Sequence, residues 1–271
     1  EGIPLEDQAK KSQTSLKKTS RSYTKKFKDS PTVLKTGNMD KILVISDLHI
    51  PYHHPDSFAF LNKLKTRYAW DKIINIGDEM DWHSINVSHV INPDLPSAAD
   101  ELEVGKFWMK KLEKMYPDML LLESNHGSMV LRRAMAKGMS KFFLKDYNEI
   151  LDVSSRWKWK EYHWENNTLG RIYFAHQVSK NIVKSVQLMS ASVCQGHYHT
   201  QSNIEYVGND FHLNWGMSVG CLVNKQSLAM AYMKINVAKP ILSCGCIING
   251  VPYLIPMLLR KDGSWDGQIY I

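Results

Sequence analysis

The sequence contains no apolar run longer than a strand, far short of the roughly 20 residues that a membrane-spanning helix needs. A helical membrane protein is therefore not expected. The polar, basic start offers no secretory signal either. The chain opens on Glu1 instead of Met, as a fragment or a processed product would. Cysteine is scarce: Cys194, Cys221, Cys244 and Cys246 lie in or beside apolar runs, without the paired spacing of a zinc ribbon. Buried, reduced thiols of a cytosolic protein are the expectation, with Cys244 and Cys246 on one face of a strand. No internal repeat is visible, and Gly and Pro occur at ordinary levels. What is present, 44% apolar and 23% charged residues over 271 positions, describes one sizeable core, or a core plus an arm.

Charge is unevenly placed. The formal net charge is +7, yet residues 1–38 hold nine Lys/Arg against four Asp/Glu. This segment is rich in Lys, Ser and Thr and has too few large apolar residues to build a core, so it reads as a linker or arm. Either it attracts polyanions such as nucleic acid, an attraction that salt weakens, or it is a linker kept soluble by its charge. Residues 39–271 read as a single domain, its compact part beginning at Lys41.

Within that domain short apolar runs alternate with amphipathic stretches, the pattern of an α/β layered fold. Ile42–Ile45, Ile73–Ile76 and Met119–Leu122 read as strands. Between the last two, Ser97 followed by Asp100 marks a helix start, and Leu102, Phe107, Trp108, Leu112 and Met115 form its expected buried stripe. Arg171–Ala175 and Ser192–Gln195 are further strands, separated by a helix from about Ser179 with Ile182, Val183, Val186 and Met189 on its apolar face. Ile241–Ile248 and Val251–Leu258 flank Asn249-Gly250, a two-residue hairpin signal.

The chemistry lies just past the ends of those strands. Asp47 and His49 come after the first, Asp78 after the second, Asn125 and His126 after the third. His176 ends the next strand, and His197 and His199 come after the last. Ligands in open α/β sheets gather at the carboxyl ends of strands, so these loops are able to converge on one crevice. Burying so many polar groups without a partner is costly, and two divalent cations would satisfy them. Each piece alone is weak: Asp-x-His is common by chance, Gly-Asp is an ordinary turn, and a lone His at a strand end is usually just hydrogen-bonded. His-x-His on a strand places both imidazoles on one face, which points to metal more strongly. The ordered set is what carries information.

That set, Asp47-Leu-His49, Gly77-Asp78-Glu-Met-Asp81, Asn125-His126, His176 and Gly196-His197-Tyr-His199, resembles the motifs of calcineurin-like metallophosphoesterases. That superfamily includes phosphoprotein phosphatases, cyclic-nucleotide phosphodiesterases and SbcD-type nucleases; the Leu-Leu-Glu-Ser-Asn-His-Gly stretch looks most like its phage-encoded members. The resemblance spans residues 41–200, extended to about 265 by a β-rich continuation. It implies an α/β/β/α sandwich of two central mixed sheets flanked by helices. It also implies that Asp47, His49, Asp78 and His199 bind one metal and that Asp78, Asn125, His176 and His197 bind the other, with Asp78 bridging. A bridging carboxylate holds two cations about 3.5–4 Å apart and lets them activate a shared water for in-line attack on phosphorus. Ligation by O and N without thiolate suits Mn²⁺, Fe or Zn²⁺, and Mn²⁺ is favoured. His126 is cast as general acid or transition-state stabiliser, the alternative being a third ligand or a packing residue.

Two departures stand out. Ser124-Asn125-His126-Gly127 replaces the usual Gly-Asn-His-acid, which removes a carboxylate that would orient His126. His176 sits in Ala-His-Gln, an unusual setting for this ligand. Asp81 is expected to orient a ligand or the loop; His83 either approaches phosphate or is an ordinary loop residue. His53 and His54 line the cleft or are exposed, and Arg132-Arg133 meet phosphate or face water.

The stretch Arg156-Trp157-Lys158-Trp159-Lys160-Glu-Tyr162-His-Trp164 reads first as an amphipathic strand, with Trp157 and Trp159 packed inward. The alternative is a track for nucleic acid. A nuclease or phosphodiesterase acting on nucleic acid is the leading expectation, a phosphomonoesterase the runner-up, and a non-catalytic scaffold the third. The expected location is cytoplasmic, in the host cell if the gene is phage-borne. A homo-oligomer remains open.

Overall fold

Strand β1 (Lys41–Ile45) has apolar residues on both faces, and the fold uses both. In the computed structural model, Ile42 and Val44 join one buried cluster while Leu43 and Ile45 join another. A strand coated on both sides belongs to an inner layer. The structure describes residues 40–86, 94–167, 169–210, 212–227 and 237–271; the basic arm of residues 1–38 lies outside them.

Six strands form the first sheet, in the order β11-β10-β1-β2-β3-β4. Here β1, β2 (Lys72–Asn75), β3 (Met119–Leu122) and β4 (Trp157–Lys160) are parallel, and β10 (Ser243–Ile248) and β11 (Val251–Pro256) add antiparallel pairs at one side. The second sheet has the order β5-β6-β7-β9-β8. Its parallel centre is β6 (Gly170–Ala175), β7 (Ser192–Gln195) and β9 (Leu213–Ser218), with β5 (His163–Asn167) and β8 (Asn203–Gly208) antiparallel at its edges. Ile42, Val44, Ile74, Phe174, Cys194 and Met217 fill the space between the sheets.

Helices cover both outer faces. Helix α1 (Ser57–Arg67), α2 (Ala98–Met115) and the short α4 (Tyr147–Leu151) pack on the first sheet through Phe60, Leu61, Leu64, Met109, Leu112 and Leu151. Helix α5 (Ile182–Met189) covers the second through Ile182 and Val186. Helix α3 (Met129–Ala136) follows the loop after β3. This is the α/β/β/α sandwich that the motif resemblance implies. Between β10 and β11, Asn249 (φ 52°) and Gly250 (φ 82°) form the expected tight turn, both central residues taking positive φ. All four cysteines are buried and free, with Cys244 and Cys246 together on the helix-facing side. Among the described residues no helix is long and apolar enough to cross a membrane.

Helix α2 corrects one expectation. It starts where the sequence indicates, with Ser97 Oγ accepting from Asp100 N. Its fully buried positions, however, are Glu101, Gly105, Met109 and Leu112, whereas Phe107 is 56% exposed. Leu102, Trp108 and Met115 pack only at the margin of the core. The helix is rotated to bring an acid inward, because Glu101 accepts from His83 N at 3.0 Å, Ser84 N at 3.3 Å and Ser84 Oγ at 3.0 Å. These donors belong to the one-turn 3₁₀ segment His83–Ile85. Glu101→Ala should leave both main-chain donors without their acceptor and cost about 1–3 kcal/mol for each. A denaturant midpoint equal to that of the unsubstituted chain would remove Glu101 from this role.

Other residues resolve toward packing. Trp157 is buried with Nε1 donating to Tyr116 O at 2.9 Å, Trp159 is half-buried, and Lys158 and Lys160 are exposed. Strand β4 is thus amphipathic. His53 and His54 are both buried: the first packs on Phe58 and Trp108, and the second contacts Gly263 O through Nε2. His54 also lines a cavity of about 310 Å³ together with Val223, Asn224 and Gly263.

Candidate metal centre

The two sheets present their carboxyl ends to the same region. Loops after β1, β2 and β3 of the first sheet meet loops after β6 and β7 of the second. Main-chain bonds hold them there: Asp47 N donates to Gly77 O at 3.1 Å, His49 N to Asp78 O at 2.8 Å, and Gly196 N to His176 O at 3.0 Å. Asp47 (φ 51°), His49 (φ 50°), Asp78 (φ 52°) and His197 (φ 67°) all take left-handed backbone. That conformation costs about 1–3 kcal/mol per non-glycine residue and gathers at functional sites. Asp and His tolerate it better than β-branched residues do.

Two glycines make the convergence possible. At Gly77 (φ +109°) an added Cβ would lie 2.6 Å from Ser124 Cβ and 2.8 Å from His176 Nδ1. At Gly196 it would lie 2.5 Å from Asp47 Oδ2. The motif glycines are spacers between loops that carry the candidate ligands.

Ligand-type atoms fall into two groups. In the first, His199 Nε2 lies 3.0 Å from Asp47 Oδ1 and 3.1 Å from His49 Nε2, and His49 Nε2 lies 3.5 Å from Asp78 Oδ2. In the second, His176 Nε2 lies 3.2 Å from Asp78 Oδ2, 2.8 Å from Asn125 Oδ1 and 3.2 Å from His197 Nδ1. The same oxygen, Asp78 Oδ2, borders both. Asp47, His49, Asp78, Asn125, His176, His197 and His199 are thus brought together, His176 included despite its unusual sequence setting.

The chemistry of this donor set fits cations. His49 Nδ1 donates to Asp81 Oδ1 at 2.6 Å, and His176 Nδ1 donates to Ile76 O at 3.0 Å. Those bonds fix the tautomers and leave the Nε2 lone pairs aimed at carboxylate, amide and imidazole acceptors. Lone pairs facing lone pairs at 3 Å require positive charge between them. Without a bound cation, protons would have to supply it. Burial pushes the His176 imidazole down, but Asp78 outweighs this and carries it up to about 9. Burial likewise raises the Asp47 carboxyl, and the hydrogen-bonded imidazoles of His199 and His49 reverse that, holding it well below the usual carboxylate range. Metal would replace those protons.

His126 sits beside these groups. Its ring centroid is 4.6 Å from that of His49, edge to face, and Nδ1 donates to the Asp81 carbonyl. That places the titrating lone pair on Nε2. Burial lowers its pKa, partly opposed by Asp78. Asp81 therefore orients both His49 and His126, and supplies support in place of the acid missing at position 127. His83 is buried with Nδ1 3.8 Å from Asp81 Oδ2, outside both groups.

Several contributors escaped the sequence reading. Ser124 Oγ accepts from Asp78 N and Gly127 N, both at 3.0 Å, so the serine that departs from the motif ties two ligand loops together. Ser46 Oγ donates to Asp47 Oδ2. Arg133 donates to the Ile85 and Asn86 carbonyls and braces the chain after Asp81 instead of meeting phosphate. Ser124 stands at a departure from the motif and Arg133 in a basic pair, but neither pattern reveals these contacts.

No family profile matches the sequence, and no curated protein matches it. Solved structures do. Vacuolar Protein Sorting 29 from Cryptosporidium parvum is 15% identical with a TM-score of 0.42, over 86% of this chain and 95% of that one. A novel archaeal phosphodiesterase is 14% identical with a TM-score of 0.44, over 80% and 99%. Pseudomonas putida nuclease MPE is 13% identical with a TM-score of 0.36, over 79% and 86%. Likenesses this remote assign no activity here, and likeness to phage-encoded members rests on the motifs alone.

Proposed function

We propose that the chain is a dinuclear metal-dependent phosphoesterase of the calcineurin-like type that hydrolyses nucleic-acid phosphodiester bonds. The observation that carries this reading is the position of Asp78 Oδ2, 3.5 Å from His49 Nε2 and 3.2 Å from His176 Nε2, at the border of two converging ligand groups. Asp47, His49, Asp78 and His199 would hold one divalent ion, and Asp78, Asn125, His176 and His197 the other. Mn²⁺ is the favoured ion, with Fe and Zn²⁺ compatible with the same donors. Such ions, when bound, acidify water and neutralise phosphate oxygens.

The protein's own groups do the rest. Asp81 fixes the ring of His49 for ligation and that of His126 for proton transfer. His126 holds or releases a proton at Nε2, where a leaving alkoxide needs one. A sugar alkoxide is a poor leaving group, and this supports a nucleic-acid diester over an activated ester.

The test is a substrate panel with Mn²⁺-loaded protein: plasmid, single-stranded oligonucleotide and p-nitrophenyl phosphate. Cleavage of either nucleic acid is expected. Hydrolysis of the monoester with both nucleic acids intact would instead favour a phosphomonoesterase, and no hydrolysis of any of them by metal-loaded protein would favour a scaffold.

A further inference from the structure

Beside the second ligand group runs a groove of about 360 Å³ that reaches Asn125 and His176. Its aromatic wall is Tyr162, just after the amphipathic β4, and Tyr173 of β6. Tyr162, 47% exposed, has its ring centroid 5.6 Å from that of Tyr173, with the planes 39° apart. Tyr173 in turn packs 4.8 Å from Trp164, over which the Arg171 guanidinium sits at 4.8 Å.

Polar groups around the groove are mixed in sign. Arg132 donates one N–H to Asn125 O at 2.5 Å, and a guanidinium has five, so donors remain for a ligand. Exposed Glu123 and Glu161 also border the groove. Two carboxylates against one guanidinium make a poor track for successive phosphates. The same carboxylates are good acceptors for a base amine or sugar hydroxyl. A flat π-surface stacks an unpaired base of any identity.

We infer that this groove is a nucleoside subsite: an unpaired base stacks on the exposed ring of Tyr162, beside which Tyr173 packs, Glu123 and Glu161 accept from the nucleoside, and Arg132 meets its phosphate. The inference rests on the phosphoesterase reading above and narrows its substrate, within nucleic acids, to strands whose bases are unpaired.

The test compares adenosine 5′-monophosphate with ribose 5-phosphate, which differ by the base alone, by calorimetric titration into Mn²⁺-loaded full-length chain. The nucleotide is expected to bind about 5- to 100-fold more tightly. Tyr162→Ala should bring that ratio close to one while leaving ribose 5-phosphate binding unchanged, and Tyr162→Phe should preserve the ratio. Equal affinity for the two ligands in the unsubstituted protein overturns the subsite, as does an undiminished ratio in Tyr162→Ala. Mn²⁺ uptake and hydrolysis of methyl p-nitrophenyl phosphate, followed in parallel, separate the two failures. If both persist while the ligands bind equally, only the subsite is wrong; if both are absent, the phosphoesterase reading is wrong as well.

Discussion

Asp78→Ala is expected to strip the chain of both divalent ions and to lower hydrolysis at least about 1,000-fold, since the ions contribute several kcal/mol to the barrier and each ~1.4 kcal/mol is a factor of ten. Among the described residues, Asp78 is the carboxylate that faces an imidazole of each ligand group. Asp78 Oδ2 lies between the two imidazoles, and Oδ1 accepts from His126 N at 3.1 Å, so the carboxylate also pins the loop after β3. Asp78→Asn keeps an acceptor for His126 N while deleting the charge. It separates loss of metal from loss of loop structure. The measurement is metal content per chain by mass spectrometry after equilibration with Mn²⁺. Two ions retained in Asp78→Ala would disprove the bridging assignment.

His126→Ala should behave in the opposite way, keeping both ions and losing about 100- to 10,000-fold in turnover, the usual range for one general acid or base. The groups that touch the His126 ring have other anchors: Asp81 N donates to Ile50 O, and His49 Nδ1 donates to Asp81 Oδ1. The defect should be largest for an oligonucleotide, whose alkoxide needs a proton, and smaller for a p-nitrophenyl ester, whose leaving group is stable as an anion. Equal defects on both substrates would move His126 from proton transfer to stabilisation of the phosphorane-like transition state. Unchanged turnover on both would falsify its catalytic role.

The two variants also mark how much of the site was legible beforehand. Asp47, His49, Asp78, Asn125, His176, His197 and His199 were readable because strand ends are recognisable from short β-branched runs, and polar groups at such ends share a side of the fold. Asp81 was readable only as a helper near the ligands; that it serves His49 through its carboxylate and His126 through its carbonyl is a matter of loop geometry. Ser124 looked like a lost glycine, yet its hydroxyl bridges Asp78 N and Gly127 N. Glu101 was hidden in a helix whose apolar residues suggested a different inner face. Tyr162 was grouped with the tryptophans of β4, although the strand ends before it and leaves its ring in the groove.

What the sequence determined by itself was local. Alternation and caps set where strands and helices begin, because backbone preferences act over a few residues. The order of Asp, His and Asn at strand ends set which chemistry the chain is equipped for. Tertiary structure alone decided distances: that loops of two different sheets meet, that one carboxylate oxygen borders both ligand groups, and which way α2 turns. Those outcomes depend on packing between residues as far as 152 positions apart, as between Asp47 and His199, and no local pattern encodes a contact of that span.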